Sequence, residues 1–411
     1  MPVTSRTLHL ALALTPEGWR RDVRLTLAAG AISAVEIGAA AQAGDERHAV
    51  AIPGVANLHS HAFQRAMSGF TERRGPGADS FWSWREAMYR FALAMNPEQM
   101  EAVASQAYVE MLEAGFTRVG EFHYLHHAPD GARYDDIAEM SARIAAAAAA
   151  AQIGLTLAPV LYAHSGFGGA PPDASQRRFV CSLDDYARLV ERVRAIVASL
   201  DGANAALAPH SLRAVTLDEL KAVVELAGAS PIHIHVAEQV AEVEACVAAT
   251  GARPVEFLLG HAEIDRRWCL VHATHMTSNE SHRLAKSGAV AGLCPITEAN
   301  LGDGFFDAPE FLAHGGHFGI GSDSNVQIGL AEELRLLEYG QRLVHRARNV
   351  VATPNGSTGR ALFAGAFLGG AAALGRARSG FAVGADADVV TLRDEMLDCA
   401  SGDADGVLDR W

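Results

Sequence analysis

The segment Asn57-Leu58-His59-Ser60-His61 ends an apolar run that begins at residue 50. Side chains two residues apart in a strand lie on the same face, so the imidazoles of His59 and His61 point the same way. Three more residues of metal-ligand type, His235, His272 and Asp323, close later apolar runs. Imidazole and carboxylate groups are ligands of divalent zinc and iron. This order and spacing predict that one metal ion gathers these side chains.

Eight compact apolar runs alternate with helical patterns along the chain. They are residues 50–57, 117–122, 155–161, 205–209, 232–236, 268–272, 290–294 and 318–322. Strands that are buried on both faces and separated by helices are typical of a parallel sheet, and eight such units in roughly 270 residues predict a closed (β/α)8 TIM-like barrel. A doubly wound open sheet is the structural alternative. It would spread the ligand-type residues apart, whereas a barrel brings them around one centre.

The two ends of the chain have a different pattern. Residues 5–14 and 22–37 alternate apolar and polar residues around Pro16-Glu17-Gly18, and residues 380–390 have a similar turn-and-strand character. We expect the two ends to pair in a small β-sandwich domain composed of residues 1–49 and 355–411. Residues 50–354 would then form the barrel.

Composition limits the class of protein. The 411 residues are 49% hydrophobic and carry a formal charge of -14, so nucleic acid and anionic membrane surfaces are not expected partners. The sequence has neither a signal-like N-terminus nor an apolar run of transmembrane length, which predicts a soluble cytoplasmic protein. The five cysteines are scattered and form no Cys-x-x-Cys pair, which indicates reduced, mostly buried thiols.

Glu238 and Asp323 are candidates for acid–base chemistry. Glu238 follows His235 by three residues, where its carboxylate would reach a metal-bound water and move protons. The alternative is a solvated glutamate at the start of the next helix. Asp323 is a candidate ligand and base, with an N-cap as its alternative. His233 lies one layer deeper than His235, and we favour a packed core or supporting role for it.

The scarcity of lysine indicates how many metal ions to expect. Only Lys221 and Lys286 occur, both in helical patterns, and Pro209-His210 follows the fourth strand where a binuclear barrel carries a bridging carboxylated lysine. One metal ion is therefore expected. Held by histidines and an aspartate, it would acidify a bound water, which predicts hydrolysis. Neither a Gly-x-Ser-x-Gly elbow nor a nucleotide-binding glycine loop is present.

With these residues in place, the chain resembles the amidohydrolase superfamily and its mononuclear deaminase branch. Within that branch it is most similar to the formimidoylglutamate deiminase family. The segments that carry this likeness are Asn57-Leu58-His59-Ser60-His61-Ala62-Phe63-Gln64-Arg65-Ala66-Met67, Phe81-Trp82-Ser83-Trp84-Arg85, Glu121-Phe122-His123-Tyr124, Pro209-His210-Ser211-Leu212-Arg213 and Glu298-Ala299-Asn300-Leu301-Gly302-Asp303-Gly304.

The resemblance implies a role for each site residue. It makes His59, His61, His235 and Asp323 the ligands of one zinc ion, with iron and manganese left open by the ligand type. It assigns His272 to positioning the attacking hydroxide and Glu238 to proton transfer. The residues it places around the substrate are Gln64, Arg85, Tyr124, His210 and Arg213. The implied substrate is N-formimidoyl-L-glutamate of histidine degradation. This compound is a dicarboxylate, and the planar guanidinium group of arginine binds a carboxylate through two hydrogen bonds. The implied assembly is a homodimer.

Two other functions and one loop stay open. A purine or S-adenosylhomocysteine-type deaminase shares the metal-site pattern but acts on a less charged substrate, and a metal-bearing binding protein without catalysis is a more remote alternative. The loop at residues 164–178, rich in glycine and proline, follows the third predicted strand and is a candidate lid.

Overall fold

The computed structural model describes residues 5–376, 380–400 and 403–411, and the side chain of Cys399 lies outside this description. The strands, in chain order, are β1 (Arg6–Thr15), β2 (Gly18–Ala28), β3 (Ala31–Ile37), β4 (Glu46–Pro53), β5 (Val55–Ser60), β6 (Phe116–His123), β7 (Gly154–Leu161), β8 (Asn204–Ala205), β9 (Ala208–Pro209), β10 (Ile232–Val236), β11 (Trp268–His272), β12 (Val290–Leu293), β13 (His317–Ile320) and β14 (Val389–Leu392).

The helices mostly separate consecutive strands, as the alternating pattern predicts. They are α1 (Phe81–Ala94), α2 (Pro97–Glu113), α3 (Glu139–Ala151), α4 (Leu183–Val197), α5 (Leu217–Ala227), α6 (Val240–Thr250), α7 (Pro254–His261), α8 (Ser278–Ser287), α9 (Pro295–Leu301), α10 (Ala308–Ala313), α11 (Leu330–His345), α12 (Thr358–Ala373) and α13 (Gly406–Arg410), with 3₁₀ turns at Ala62–Met67, Ala174–Gln176 and Asp394–Ala400. Capping boxes fix several starts, such as Thr216 with Glu219 before α5.

Two parallel sheets form the centre of the protein. One has the order β5-β6-β7-β8, with β9 also paired to β7, and the other has the order β10-β11-β12-β13. Isolated parallel bridges Leu207↔Ile232 and Ser211↔His235 connect the first sheet to the second, and Ser60↔Asp323 connects β5 to the residues after β13. The predicted α/β architecture with parallel strands is confirmed.

The predicted first strand, residues 50–57, is wrong in one respect because it joins two strands of different sheets. β4 pairs with β1 and β14, whereas β5 pairs with β6. The chain changes sheet at Gly54, where an added Cβ would lie 2.2 Å from the Thr117 hydroxyl oxygen. An uninterrupted apolar run hides this change because both strands are buried.

The terminal segments form one five-stranded sheet in the order β14-β4-β1-β2-β3. β14 runs antiparallel to β4, so residues from both ends of the chain share this sheet, as the turn-and-strand pattern indicates. The finer prediction of a two-sheet sandwich is not confirmed in the part of the chain that the structure describes.

Helix α12 packs closely against the bottom of the parallel strands. Its Gly369 lies so near β13 that an added Cβ would be 1.8 Å from the Phe318 carbonyl oxygen. Beyond its end, Leu374 joins a buried cluster with Leu58 of β5 and Val271 of β11. The helix therefore fills the interior at the end opposite the predicted metal ligands.

Two remaining expectations concern the cysteines and membranes. Cys181, Cys246, Cys269 and Cys294 are free and buried, in agreement with the prediction of reduced thiols. Among the described residues, no helix combines the length and the apolar character needed to cross a membrane.

The close approach of α12 to β13 predicts that two glycine-to-alanine substitutions in helices will differ in their effect on stability. Gly369→Ala should lower the free energy of unfolding by about 3 kcal/mol, because backbone must move to admit the methyl group. Gly260→Ala, on the exposed face of α7, meets nothing within 4 Å and should be neutral or slightly stabilising. Thermal and urea unfolding of both variants measure this difference, and equal melting temperatures would contradict the packing described.

Candidate active site

Four predicted metal ligands meet at the C-terminal ends of the parallel strands. The Oδ1 atom of Asp323 lies 3.3 Å from His59 Nε2 and 3.2 Å from His61 Nε2. His235 Nε2 lies 3.1 Å from His59 Nε2. One ligand atom from each of these four buried residues lies within 4.8 Å of the others. The donor set is that of a mononuclear site with three nitrogen ligands and one oxygen ligand.

Backbone contacts fix the tautomers of two of these histidines. His61 Nδ1 is 2.9 Å from the Phe122 carbonyl oxygen, and His235 Nδ1 is 3.0 Å from the His210 carbonyl oxygen. A carbonyl oxygen only accepts, so each Nδ1 carries the proton and donates it. Each Nε2 then keeps a lone pair directed at the centre of the group. This arrangement is the one that metal-ligating histidines adopt, and the residues fit a divalent metal ion.

The ionisation of the group also suits a cation. Burial lowers the pKa of His59 to about 3, so its imidazole is neutral at physiological pH. Burial opposes ionisation of Asp323, but its contact with His59 and the neighbouring His61 hold its pKa well below the ordinary value. Metal ligands must be deprotonated to bind, and these residues already are.

Strained backbone shapes the strand ends that carry the site. Ala237, His272 and Asp323 have positive φ values of 51°, 67° and 45°, which residues other than glycine rarely adopt. Asn325 supports this turn because its side-chain amide donates to the carbonyl oxygens of His61 and Asp323, both at 3.1 Å. Strain of this kind concentrates at functional sites.

His272 and Glu238 lie beside the four-residue group. His272 Nε2 is 3.7 Å from Glu238 Oε1 and 4.0 Å from Asp323 Oδ2, and its Nδ1 is 3.2 Å from Glu298 Oε1. Burial alone would lower the pKa of His272, but the three carboxylates outweigh burial and raise it to about 10. Burial raises the pKa of Glu238 to about 7. A carboxyl group with this pKa can both accept and donate a proton near neutral pH.

The five predicted substrate residues line one cavity above this group. Gln64, Arg85, Tyr124, His210 and Arg213 share it with His61, His235, Glu238, His272 and Asp323. His59 lies fully buried beneath it. The structure thus brings all the predicted site residues together. Gln64 Nε2 donates to the Tyr124 hydroxyl at 2.9 Å, and the Arg85 guanidinium lies 4.4 Å from the Trp82 ring.

The cavity contains functional candidates that sequence reasoning missed. Its remaining lining is mostly aromatic and apolar: Phe81, Trp84, Met88, Tyr89, Tyr162, Phe179 and Leu301. Glu298, which contacts His272, also accepts a hydrogen bond from the Cys294 backbone N–H at 2.9 Å. Both Glu298 and Trp84 lie in segments used for the resemblance, but no spacing in the sequence shows where their side chains point.

A model described as the amidohydrolase family matches residues 50–403. The chain belongs to the amidohydrolase family. A second model, described as the N-terminal domain of formimidoylglutamate deiminase HutF, matches residues 5–49. Members of the amidohydrolase family are metal-dependent, in agreement with the ligand group.

Several characterised relatives share most of this chain. It is 50% identical to a formimidoylglutamate deiminase of Pseudomonas aeruginosa over 97% of this chain and 88% of the relative, and 29% identical to an 8-oxoguanine deaminase of the same organism over 89% and 79%. The crystal structure of an amidohydrolase from Brucella melitensis is 60% identical, with a TM-score of 0.96 over 99% of this chain and 90% of the other. A zinc-bound adenosine deaminase from Xanthomonas campestris shares the fold, with a TM-score of 0.78 at 22% identity over 98% and 88%.

Two histidines on β10 provide a matched test of the ligand group. His235→Ala should lose most of its metal after dialysis because the ring supplies one of the converging Nε2 atoms. His233→Ala should keep its metal, since His233 Nε2 contacts the Ala373 carbonyl oxygen at 2.8 Å, away from the group. Elemental analysis of both purified variants measures the metal bound per chain. Metal loss from the His233 variant alone would contradict this assignment.

Proposed function

We propose that this protein is a metal-dependent deiminase that hydrolyses N-formimidoyl-L-glutamate to N-formyl-L-glutamate and ammonia in histidine degradation. The observation that carries this proposal is the presence of two guanidinium groups, Arg85 and Arg213, in the cavity that also contains the metal-ligand group. The substrate has two carboxylates and one amidine. The 50% identity to a formimidoylglutamate deiminase over nearly the whole chain supports the same substrate.

We propose zinc as the metal, held by His59, His61, His235 and Asp323. When bound, it supplies a Lewis acid that lowers the pKa of a water molecule toward neutrality. Nitrogen and oxygen ligands also admit iron and manganese, so metal analysis of the purified protein decides among them.

Glu238 transfers the protons in this proposal, and His272 positions the attacking water. Glu238 accepts a proton from the attacking water, which adds to the formimidoyl carbon. His272 and Asp323 would orient that water, and Glu298 holds His272 through its Nδ1 atom. Glu238 then donates the proton to the terminal nitrogen. Glu238 next accepts the proton of the adduct's hydroxyl group and passes it to the same nitrogen as the bond between that nitrogen and the carbon breaks. Ammonia leaves, and the carbon becomes the formyl group of the product.

The arginine side chains hold the substrate carboxylates. Planar guanidinium forks bind carboxylates through two hydrogen bonds. The Nε atom of Arg213 is buried without a hydrogen-bond partner among the described residues, so its bonding capacity is available to a ligand. Gln64 with Tyr124, and His210, add polar contacts along the same cavity.

We also propose the closed (β/α)8 barrel predicted for residues 50–354 and the smaller domain predicted for residues 1–49 and 355–411, with two changes of boundary. Residues 50–53 move to the smaller domain because β4 pairs with β1 and β14, and α12 moves to the barrel because it packs against β13. The isolated bridges on both sides of the two parallel sheets support closure, since they place β5 beside the end of β13 and β10 beside β9. Assembly as a homodimer and a cytoplasmic location remain predictions.

A purine or S-adenosylhomocysteine-type deaminase is the second candidate. The aromatic cavity wall and the 29% identity to an 8-oxoguanine deaminase favour it. The two arginines favour the dicarboxylate instead, because a neutral purine would leave both guanidinium groups without an anionic partner.

Ammonia release from a substrate panel tests the two candidates. N-formimidoyl-L-glutamate should be hydrolysed with a kcat/KM at least ~10³-fold above that for adenosine, 8-oxoguanine or S-adenosylhomocysteine, because a substrate without two carboxylates leaves one or both guanidinium groups unpaired. Removal of metal by a chelator should abolish the activity, and added zinc should restore it. Faster turnover of a purine would reverse the choice of substrate.

A substitution that keeps the shape of Glu238 tests its role. Glu238→Gln should lower kcat by ~10²-fold or more, since an amide cannot transfer the proton. Bound metal should be unchanged because Glu238 is outside the four-residue group. Glu244→Gln, on the exposed face of α6, is the matched control and should behave as wild type. A near-normal kcat for the Glu238 variant would remove this residue from the mechanism.

A further inference from the structure

Tyr162 lines the candidate active-site cavity at the end of β7, and the proposed proton chemistry does not use it. Its side chain is buried, and its ring packs edge-on against the His210 imidazole with centroids 4.6 Å apart. Arg85 and Arg213 line the same cavity. The phenol is therefore held among the residues proposed to bind the substrate.

The neighbouring Gln176 determines what the Tyr162 hydroxyl can do. The Asp173 backbone N–H donates to Gln176 Oε1 at 3.0 Å, which fixes the orientation of the side-chain amide. Gln176 Nε2 consequently faces Tyr162 and lies 2.7 Å from its hydroxyl oxygen. An amide NH₂ group only donates, so the hydroxyl accepts this bond. Its own proton has no acceptor among the described residues.

A buried tyrosine elsewhere in the same region shows the contrast. Tyr186 on α4 accepts from the Ala208 backbone N–H at 3.1 Å and donates to the Pro159 carbonyl oxygen at 3.0 Å. Both functions of that hydroxyl are satisfied within the protein, and Tyr186 does not line the cavity. The unused proton of Tyr162 is therefore a property of its position and not of buried tyrosines in general.

The charges around Tyr162 favour an anionic acceptor. Burial raises the pKa of Tyr162 to about 12, although Arg213 and Arg85 oppose the rise. The hydroxyl therefore keeps its proton at neutral pH. An anion drawn to the two guanidinium groups would lie in the cavity that this hydroxyl lines, where hydrogen bonds to charged groups contribute more than those to neutral groups.

We propose that the Tyr162 hydroxyl donates a hydrogen bond to one carboxylate of the substrate, and that Gln176 positions it for this purpose. This inference rests on the proposed function. It also gives the loop at residues 164–178 a role different from that of a lid: the loop supplies the side chain that occupies the acceptor site of Tyr162.

The test compares Tyr162→Phe with wild type on three compounds. These are N-formimidoyl-L-glutamate and two analogues that each lack one carboxylate, N-formimidoyl-4-aminobutanoate and N-formimidoyl-2-aminobutanoate. On the full substrate, the variant should raise KM about tenfold or more and change kcat by less than about threefold, as expected when uniform binding is lost. The rise in KM should disappear with the analogue that lacks the contacted carboxylate and persist with the other analogue.

The matched control is Tyr186→Phe, which also removes a buried hydroxyl but should leave KM close to wild type. An unchanged KM for Tyr162→Phe, or an equal penalty on all three compounds, would overturn the inference. Failure of the proposed function looks different, because wild-type protein would then release no ammonia from N-formimidoyl-L-glutamate.

Gln176→Glu provides a second variant, which by itself tests the inference if Tyr162→Phe fails to fold and which can be combined with Tyr162→Phe if it folds. The carboxylate can still accept from the Asp173 N–H, but its other oxygen accepts the Tyr162 proton and withdraws it from the substrate. KM should rise as in Tyr162→Phe. In the double variant, the two effects should not add, because the phenyl ring introduced by Tyr162→Phe has no hydroxyl proton to withdraw. Fully additive effects would point to simple charge repulsion and overturn the positioning role of Gln176.

Discussion

The site depends on the contact between Asp323 and the strand that carries His59 and His61. The Asp323 carboxylate meets both imidazoles, and its backbone accepts from the His61 N–H at 2.9 Å and donates to the His59 carbonyl oxygen at 3.0 Å. The same residue therefore connects the ends of β13 and β5 and completes the ligand group. A shift between these two strands would move one candidate oxygen ligand and two candidate nitrogen ligands at once, so fold and site cannot vary independently.

This arrangement requires an unfavourable backbone conformation at Asp323, which hydrogen bonds from the surrounding residues stabilise. Asp323 has a φ of 45°, which disfavours a residue with a Cβ atom. Buried hydrogen bonds hold the turn: Asn57 Nδ2 donates to the Ser322 hydroxyl at 2.6 Å, and Asn325 Nδ2 donates to the Ser60 hydroxyl at 3.1 Å. Each bond joins β5 to the segment after β13. Asn57 and Asn325 thus stabilise the backbone that carries the candidate ligands, although neither side chain takes part in the proposed chemistry.

The four candidate ligands, which the structure brings together, could be picked out from the sequence because their signal is local. His59 and His61 share a strand face by spacing alone, and the other ligands end apolar runs whose strands the structure contains. The break at Gly54 was not predictable, since it depends on contact with Thr117 of a strand distant in sequence. Glu298 and Tyr162 were missed for a related reason. Their roles depend on which way a side chain points from the end of a strand or from a short helix, and no periodicity encodes that direction.

The polarity of the cavity gives the proposed substrate one orientation. Glu238 and Asp323 line the cavity beside the metal-ligand group, and Glu298 contacts His272 outside the cavity lining, whereas Arg85 and Arg213 line the same cavity in a chain whose formal charge is -14. Coulomb forces between such groups are strong where water is excluded. The basic amidine of formimidoylglutamate is attracted to the carboxylates, and its own carboxylates are repelled by them and held by the guanidinium groups. A substrate turned so that its carboxylates faced Glu238 and Asp323 would meet like charges, so the charges that suit a dicarboxylate also direct its amidine carbon toward the metal-ligand group.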